Sequence, residues 1–224
     1  MDSTTTKLAQ LRVFRQIPTK ELETLVRCAR RIRLSRQDYL VRQGEIWPSV
    51  IFLVTGELRW TMLSVGGREH VLFTVGAGEV FWGHSFFDDE PMPASLIAAG
   101  DVEAHVWSRS LLLPVLLRHP RSLWEVTRMQ VETMRRAREV IYGLAFHPVA
   151  TRLASLLLDS SRDQKNTAIE RDLTLNEIAA MVASSPEVVC RLLQQFHAEG
   201  ILEVTRAQIT IHDVAALKNM VDAA

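Results

Sequence analysis

Along the first hundred residues the apolar positions come in short bursts. Val50–Val54, Leu58–Met62 and His70–Thr74 are runs rich in β-branched, aromatic and aliphatic residues. Around them fall eight glycines: Gly44, Gly56, Gly66, Gly67, Gly76, Gly78, Gly83 and Gly100. Short apolar runs punctuated by glycine turns predict an antiparallel sandwich or jelly roll. A polar segment with helical spacing precedes them, in which Leu22, Leu25, Val26 and Ala29 form one apolar face. After Trp107 the character changes. From Arg121 to Phe146 there is no proline, and glycine occurs only at Gly143, which predicts one long helix. On it Val126, Gln130, Met134, Ala137, Ile141 and Leu144 step by four or three, bordered by Arg128, Glu132, Arg135, Arg136 and Glu139. A narrow seam on so long a helix predicts pairing with a second copy of the chain, whereas Trp124, Val131 and Val140 are free to cover the sandwich. His147-Pro148 ends this helix. A second apolar helix follows with Val149, Leu153, Leu156 and Leu157, and Arg162 to Asn166 reads as a polar loop.

The region 173–212 carries the most specific local pattern. Thr174 and Glu177 form a capping box that opens a helix with Ile178, Ala179 and Val182 on its apolar face. After a short turn Ser185 stands as N-cap, Pro186 fits the first helical position, and Glu187 lies in the positive first turn. Val189, Leu192, Leu193 and Phe196 make a buried stripe, while Glu187, Val188, Cys190, Arg191, Gln194 and Gln195 take the opposite face. Gly200 ends the helix. Ile201–Val204 and Gln208–Ile211, linked by Thr205, Arg206 and Ala207, read as a two-stranded hairpin. Helix, turn, helix and hairpin make a winged helix-turn-helix. The head of its second helix fits a DNA major groove, where Arg191 can donate a bidentate pair to guanine and Glu187 can accept from a cytosine amino group. The alternative for these two residues is an i,i+4 ion pair on a solvated helix face. Thr174, Ser184 and Ser185 stand at the helix starts, where hydroxyls and backbone amides can meet phosphate.

Composition narrows the classes. The 224 residues carry 26 Lys+Arg and 26 Asp+Glu, an ordinary balance for one large domain or two smaller ones. From Pro148 to Ala224 ten acidic residues outnumber seven basic ones, so non-specific attraction to nucleic acid is modest and specific binding depends on dimerisation. Two cysteines, Cys28 and Cys190, exclude a disulfide framework and a four-thiolate cluster within the chain. The start lacks the apolar stretch of a signal peptide and the longest apolar run, Leu111–Leu117, is too short to span a bilayer. The expected compartment is the cytoplasm, without membrane partners.

The chain from Leu11 to Asp213 resembles the CRP/FNR family of transcriptional regulators. Tyr39-Leu40-Val41-Arg42-Gln43-Gly44-Glu45, Phe52-Leu53-Val54-Thr55-Gly56, Gly67, Gly78-Glu79 and Gly83 follow that family's sensor pattern. Leu144-Ala145-Phe146 with Val149 and Arg152-Leu153-Ala154 resembles its hinge, and Glu187–Leu193 its recognition helix. The resemblance implies an α+β protein in three parts: a jelly-roll sensor over 1–117, a dimerisation helix over 118–146 and a winged helix-turn-helix over 147–224. It implies a homodimer on a palindromic promoter site, in contact with RNA polymerase. Glu187 and Arg191 match the family's base-reading pair in the arrangement of the FNR branch, implying TTGA-like half-sites. Cys190 stands where that branch has serine, which weakens a thymine-side contact.

An effector pocket between jelly roll and long helix is also implied. Its candidate residues are Phe81, Trp82, Gly83, His84, Ser85, Met92, Ala94, Met134, Ala137 and Arg138. The cyclic-nucleotide pattern is broken here. His84 replaces the ribose-holding glutamate, Met92-Pro93 the phosphate-holding Arg-Ser pair, and Ala137-Arg138 the adenine-facing Thr-Ser pair. Without an arginine for the cyclic phosphate a buried anion has no partner, so cyclic AMP is not the expected ligand. Phe81, Trp82, Phe86 and Phe87 suit either an apolar effector or plain core packing. His84 is a candidate haem ligand, and Arg138 can face an anionic effector or pair with Glu139. A different class, a cupin-like metalloenzyme, would need clustered ligands, but the seven histidines are singletons in sequence.

Overall fold

The computed structural model describes residues 3–164, 168–170, 173–205 and 208–223. Two helices, α1 (Ser3–Gln10) and α2 (Thr19–Cys28), lead into β1 (Arg30–Leu34), β2 (Tyr39–Val41), β3 (Ser49–Thr55), β4 (Glu57–Leu63), β5 (Glu69–Gly76) and β6 (Val80–Trp82). A short α3 (Ser85–Asp88) precedes β7 (Ser95–Ala98) and β8 (Val102–Ser108). Then come α4 (Arg109–Arg118), α5 (Pro120–Phe146), α6 (Val149–Gln164), β9 (Ala168–Glu170), α7 (Leu175–Met181) and α8 (Pro186–Ala198). The chain closes with β10 (Leu202–Val204), β11 (Gln208–Ile211) and α9 (Val214–Asp222). Two compact units result: Met1–Leu63 with Leu72–Arg136, and Ser64–Val71 with Ala137–Ala224. Among the described residues no helix is long and apolar enough to cross a membrane.

In the first unit eight strands form two four-stranded sheets, ordered β1-β8-β3-β6 and β2-β7-β4-β5. The pairings β1–β8, β3–β8, β3–β6, β2–β7 and β4–β7 are antiparallel, and this interleaved order is that of a jelly roll. The run Val50–Val54 is apolar at successive positions because β3 is covered on both faces. Ile51 and Leu53 point between the sheets with Leu58, Trp60, Phe81 and Leu96. Val50 and Phe52 point outward, under Phe14, Leu22, Leu25, Leu112, Leu116 and Val126 of the helical layer. Glycine is required at two places. At Gly56, with φ +84°, a Cβ would lie 2.3 Å from the Asp101 carbonyl oxygen, and at Gly83 it would lie 2.6 Å from the Trp47 ring.

The outer layer is pinned by Trp107 of β8, which is fully buried and donates from Nε1 to the Leu25 carbonyl at 2.8 Å. Phe14 packs against it with ring centroids 6.1 Å apart. Replacing Trp107 by Ala removes this wedge and leaves the Leu25 carbonyl unpaired. We expect a loss of about 3–5 kcal/mol in unfolding free energy, read as a lowered urea midpoint at unchanged m.

The second unit packs α6, α7, α8 and α9 around Leu153, Leu157, Ile178, Val189, Leu193, Phe196, Ile209 and Leu217. Its hairpin of β10 and β11 is joined by β9 on the far side of β11, giving the order β10-β11-β9. The sequence showed only two of these strands, because three residues are too few for periodicity to register. Arg162, Asp163 and Gln164, read as loop, are the last residues of α6; Lys165 and Asn166 lie outside the described residues, as do Arg206 and Ala207 of the hairpin linker. The run Leu111–Leu117 is the helix α4, with Pro114 inside it.

Candidate nucleic-acid interface and sensor cleft

The start of α7 is closed by the expected capping box. The Glu177 amide donates to the Thr174 hydroxyl at 3.2 Å, and the Thr174 amide donates to Glu177 Oε2 at 2.7 Å. The helix ends at Val182, and the turn to α8 passes through Ala183 at φ +50°, a left-handed conformation that an L residue adopts only at some cost. Ser184 follows, its amide donating to the Ala179 carbonyl at 2.9 Å. Ser185 caps α8, its hydroxyl accepting from the Val188 amide, and Pro186 occupies the first turn.

Behind the turn lies a residue whose part the sequence did not disclose. Arg152 of α6 donates from Nε to the Val182 carbonyl at 3.0 Å and from Nη2 to that of Ala183 at 3.4 Å. Its Nη1 donates to the carbonyls of His147, at 2.9 Å, and Gly143, at 3.3 Å. One guanidinium thus ties the end of α5 to the strained turn, using the five-donor fork that lysine lacks. Burial holds its pKa below the ordinary arginine value. The sequence signal was available: a cation within the apolar stripe of Val149, Leu153 and Leu156.

On α8, Val189, Leu193 and Phe196 are buried. Glu187, Arg191 and Gln194 are exposed, Val188 and Cys190 half-buried, and the Gln194 amide donates to Cys190 Sγ at 3.7 Å. Among the described residues Glu187 and Arg191 make no ion pair with each other. The Ser185 hydroxyl and the amide at the helix start hold the Glu187 carboxyl below the usual carboxylate range, so it is ionised. The arrangement presents an acceptor, a five-donor fork and an amide side by side on a helix that a major groove accommodates. The third strand β9 and the closing α9 brace this head from behind.

The candidate seam on α5 divides. Met134, Ala137, Ile141 and Leu144 are exposed, Gln130 is half-buried, and Val126 is buried in the sensor's own core, so Val126 is no part of a pairing surface. Trp124 and Val131, read as sandwich cover, are instead exposed, at 65% and 44%. With Met134 (71%) and Ile141 (64%) they step by seven, three and seven, the a/d spacing of a two-helix seam. Four of the six candidates thus stay exposed, and Trp124 and Val131 extend the exposed apolar surface of α5. Arg138, at an a position between Val131 and Ala145, pairs with Glu139 at 2.5 Å.

The sensor cleft lies within the first unit and has a volume of about 320 Å³. Phe81, Trp82 and His84 line it, as expected, with Phe73, Val75 and Val80 from the two edge strands, Leu11 and Val13, and Met129, Glu132, Thr133 and Arg136 of α5. The other candidates do not. Met92 and Ala94 are fully packed between the sheets. Ser85 is buried, accepting from the Trp47 amide at 3.0 Å and donating to the Glu90 carbonyl at 2.6 Å. Gly83 is pressed against Trp47, while Met134, Ala137 and Arg138 stand in solvent. His84 stacks on Trp60 at 5.0 Å, and burial pushes its pKa below the usual histidine value, favouring the neutral ring.

Comparison with known proteins agrees with both parts. A family model described as a cyclic nucleotide-binding domain matches residues 31–119, and one described as a Crp-like helix-turn-helix domain matches residues 151–220. The CRP-like cAMP-activated global transcriptional regulator of Mycobacterium tuberculosis is 24% identical over 211 residues, 92% of this chain and 94% of that protein. The cyclic AMP receptor protein of Thermus thermophilus is 25% identical over 178 residues, 80% and 82% of the two chains. In fold, the chain is similar to a protein from Eubacterium rectale described as a transcriptional regulator of the crp/fnr family, with TM-score 0.79 at 17% identity, covering 95% of this chain and 98% of that one. With a jelly-roll sensor matching one family model and a capped helix-turn-helix matching the other, the chain belongs to the CRP/FNR family of transcriptional regulators.

Proposed function

We propose that the protein is a homodimeric, sequence-specific DNA-binding regulator in which α5 pairs two copies and α8 of each reads one half of a palindromic site. The observation that supports this most is the exposed trio Glu187, Arg191 and Gln194 at the head of the second helix of the motif, with Arg191 unpaired among the described residues. A lone solvated helix would gain from pairing Glu187 with Arg191; here the two do not pair, and Arg191 is left open to base edges. The FNR-like pair leads us to expect TTGA-like half-sites, and a promoter-bound dimer would be placed to contact RNA polymerase in the cytoplasm. Selection of binding sequences from a random duplex pool with the full-length protein tests the reading. An enriched palindrome supports it, and a monomer that enriches no motif refutes it.

An effector in the sensor cleft completes the proposal. The Mycobacterium tuberculosis relative is described as cAMP-activated and the Thermus thermophilus one as a cyclic AMP receptor protein. Here, however, Met92 fills the sandwich core where a phosphate-holding arginine would stand, so we infer a ligand other than cyclic AMP. Haem is the second reading, favoured by the neutral ring of His84 and its unpartnered Nδ1; a Soret band in freshly purified protein would reveal it.

A further inference from the structure

The rim and the wall of the sensor cleft ask for different chemistry. The wall is aromatic. Phe73, Phe81, Trp82 and His84 line it, and the core residue Trp60 backs Phe73 and Phe81 at centroid distances of 4.7 and 5.8 Å. Two ring nitrogens in this wall, Trp82 Nε1 and His84 Nδ1, are buried with no hydrogen-bond partner among the described residues. The cleft opens where β5 and β6, the outermost strands of their sheets, leave the sandwich uncovered. At about 320 Å³ it falls at the small end of ligand pockets, which run from roughly 300 to 1,000 Å³.

The rim is ionic. Arg12 grips the Glu132 carboxylate with both Nη atoms, at 2.9 and 2.6 Å, and Arg136 stands one turn further along α5. Each partner lowers the other's tendency to neutralise: Arg12 is raised, and Glu132 held below the usual carboxylate range. The two side chains are 44% and 48% exposed, so the pair is solvent-screened, contributes little to stability and is open to exchange.

Resting on the reading of this cleft as the effector site, we propose that its ligand is a compact aromatic carboxylic acid whose carboxylate takes the place of Glu132 on Arg12. The ring packs against the aromatic lining that includes Phe73 and Phe81, and the carboxylate enters a guanidinium fork already shaped to hold one. Glu79 and Glu132 balance Arg12 and Arg136 on the rim, so selection rests on the fork, which a neutral aromatic forgoes. Exchange also frees Glu132 from the Arg12 segment, so that occupancy acts directly on α5, the helix that pairs the copies.

Calorimetric titration of the full-length protein with benzoate, 2-naphthoate, 2-naphthalenemethanol and cyclic AMP tests this. We expect 2-naphthoate to bind once per chain and at least about tenfold more tightly than the isosteric alcohol. Glu132→Gln, which leaves Arg12 without its internal carboxylate, should tighten naphthoate by about tenfold, while Arg12→Gln should bring acid and alcohol to equal affinity. Circular dichroism verifies that both variants are folded. Absence of saturable binding of either acid to wild type and to Glu132→Gln overturns the proposal, as do equal affinities for acid and alcohol, or a preference for cyclic AMP. DNA binding measured on the same samples separates the two readings. Protein that binds DNA but neither acid refutes this ligand class alone; protein that binds naphthoate but no DNA refutes the regulator and leaves the ligand class standing.

Discussion

Arg191→Ala is expected to lose between roughly thirty-fold and ten-thousand-fold in affinity for the selected palindrome. A bidentate arginine–guanine pair carries about 1–3 kcal/mol of discrimination, and a dimer makes the contact twice. The substitution touches nothing else, since Arg191 is exposed and has no partner among the described residues. Fold and dimer should persist within the small effect usual for a surface change. Arg191→Lys is the sharper variant. It keeps the positive charge but loses the planar fork, so it should retain non-specific binding while specificity falls. Fluorescence anisotropy on the selected site and on a scrambled duplex, with salt held constant, measures both. An unchanged ratio between the two duplexes in Arg191→Ala removes Arg191 from base reading.

The second large effect is on assembly. Ile141→Asp should raise the dimer dissociation constant by at least about a hundredfold, because each copy would carry an uncompensated carboxylate into the seam. Ile141 is 64% exposed in the single chain, so nothing in the fold of one copy resists the change. Val126→Asp gives the contrast. Val126 is 2% exposed within the sensor core, so a charge there should unfold the sensor rather than separate folded copies. Sedimentation velocity and thermal melting distinguish the outcomes. A dimeric Ile141→Asp variant would refute the a/d stripe of Trp124, Val131, Met134 and Ile141.

Both predictions show what the sequence could and could not reveal. Of the six seam candidates only Val126 is buried, because α5 carries apolar residues on two faces. A period near 3.6 marks both equally. Only the packing of Val126 and Met129 against the sensor's helical layer consigns one to the core and leaves the other in solvent. Arg152 was visible as a cation in an apolar stripe, but its four backbone acceptors belong to the ends of two other helices. The cleft shows the same division. Phe81 and Trp82 were named for local aromatic density and His84 for its place in the resembled sensor pattern. Arg12 and Glu132, 120 positions apart, were not, since nothing in the sequence between them signals that they meet.

What the amino-acid order determined alone is everything written in short-range rules. The alternation of apolar runs with glycine turns specified an antiparallel sandwich or jelly roll, the Thr174–Glu177 box and the Ser185-Pro186 start specified the helix-turn-helix, and Glu187, Arg191, Gln194 and Gln195 were placed on the exposed face of α8. Each depends on neighbours within about one helical turn or one strand pair, where backbone geometry dictates which side chains share a face. Tertiary structure decided which stripe of α5 is buried, where the cleft opens and which carboxylate fills the Arg12 fork. Those outcomes depend on which distant surfaces exclude water from one another, and hydrophobic burial, having no direction of its own, leaves no period in the chain from which to read them.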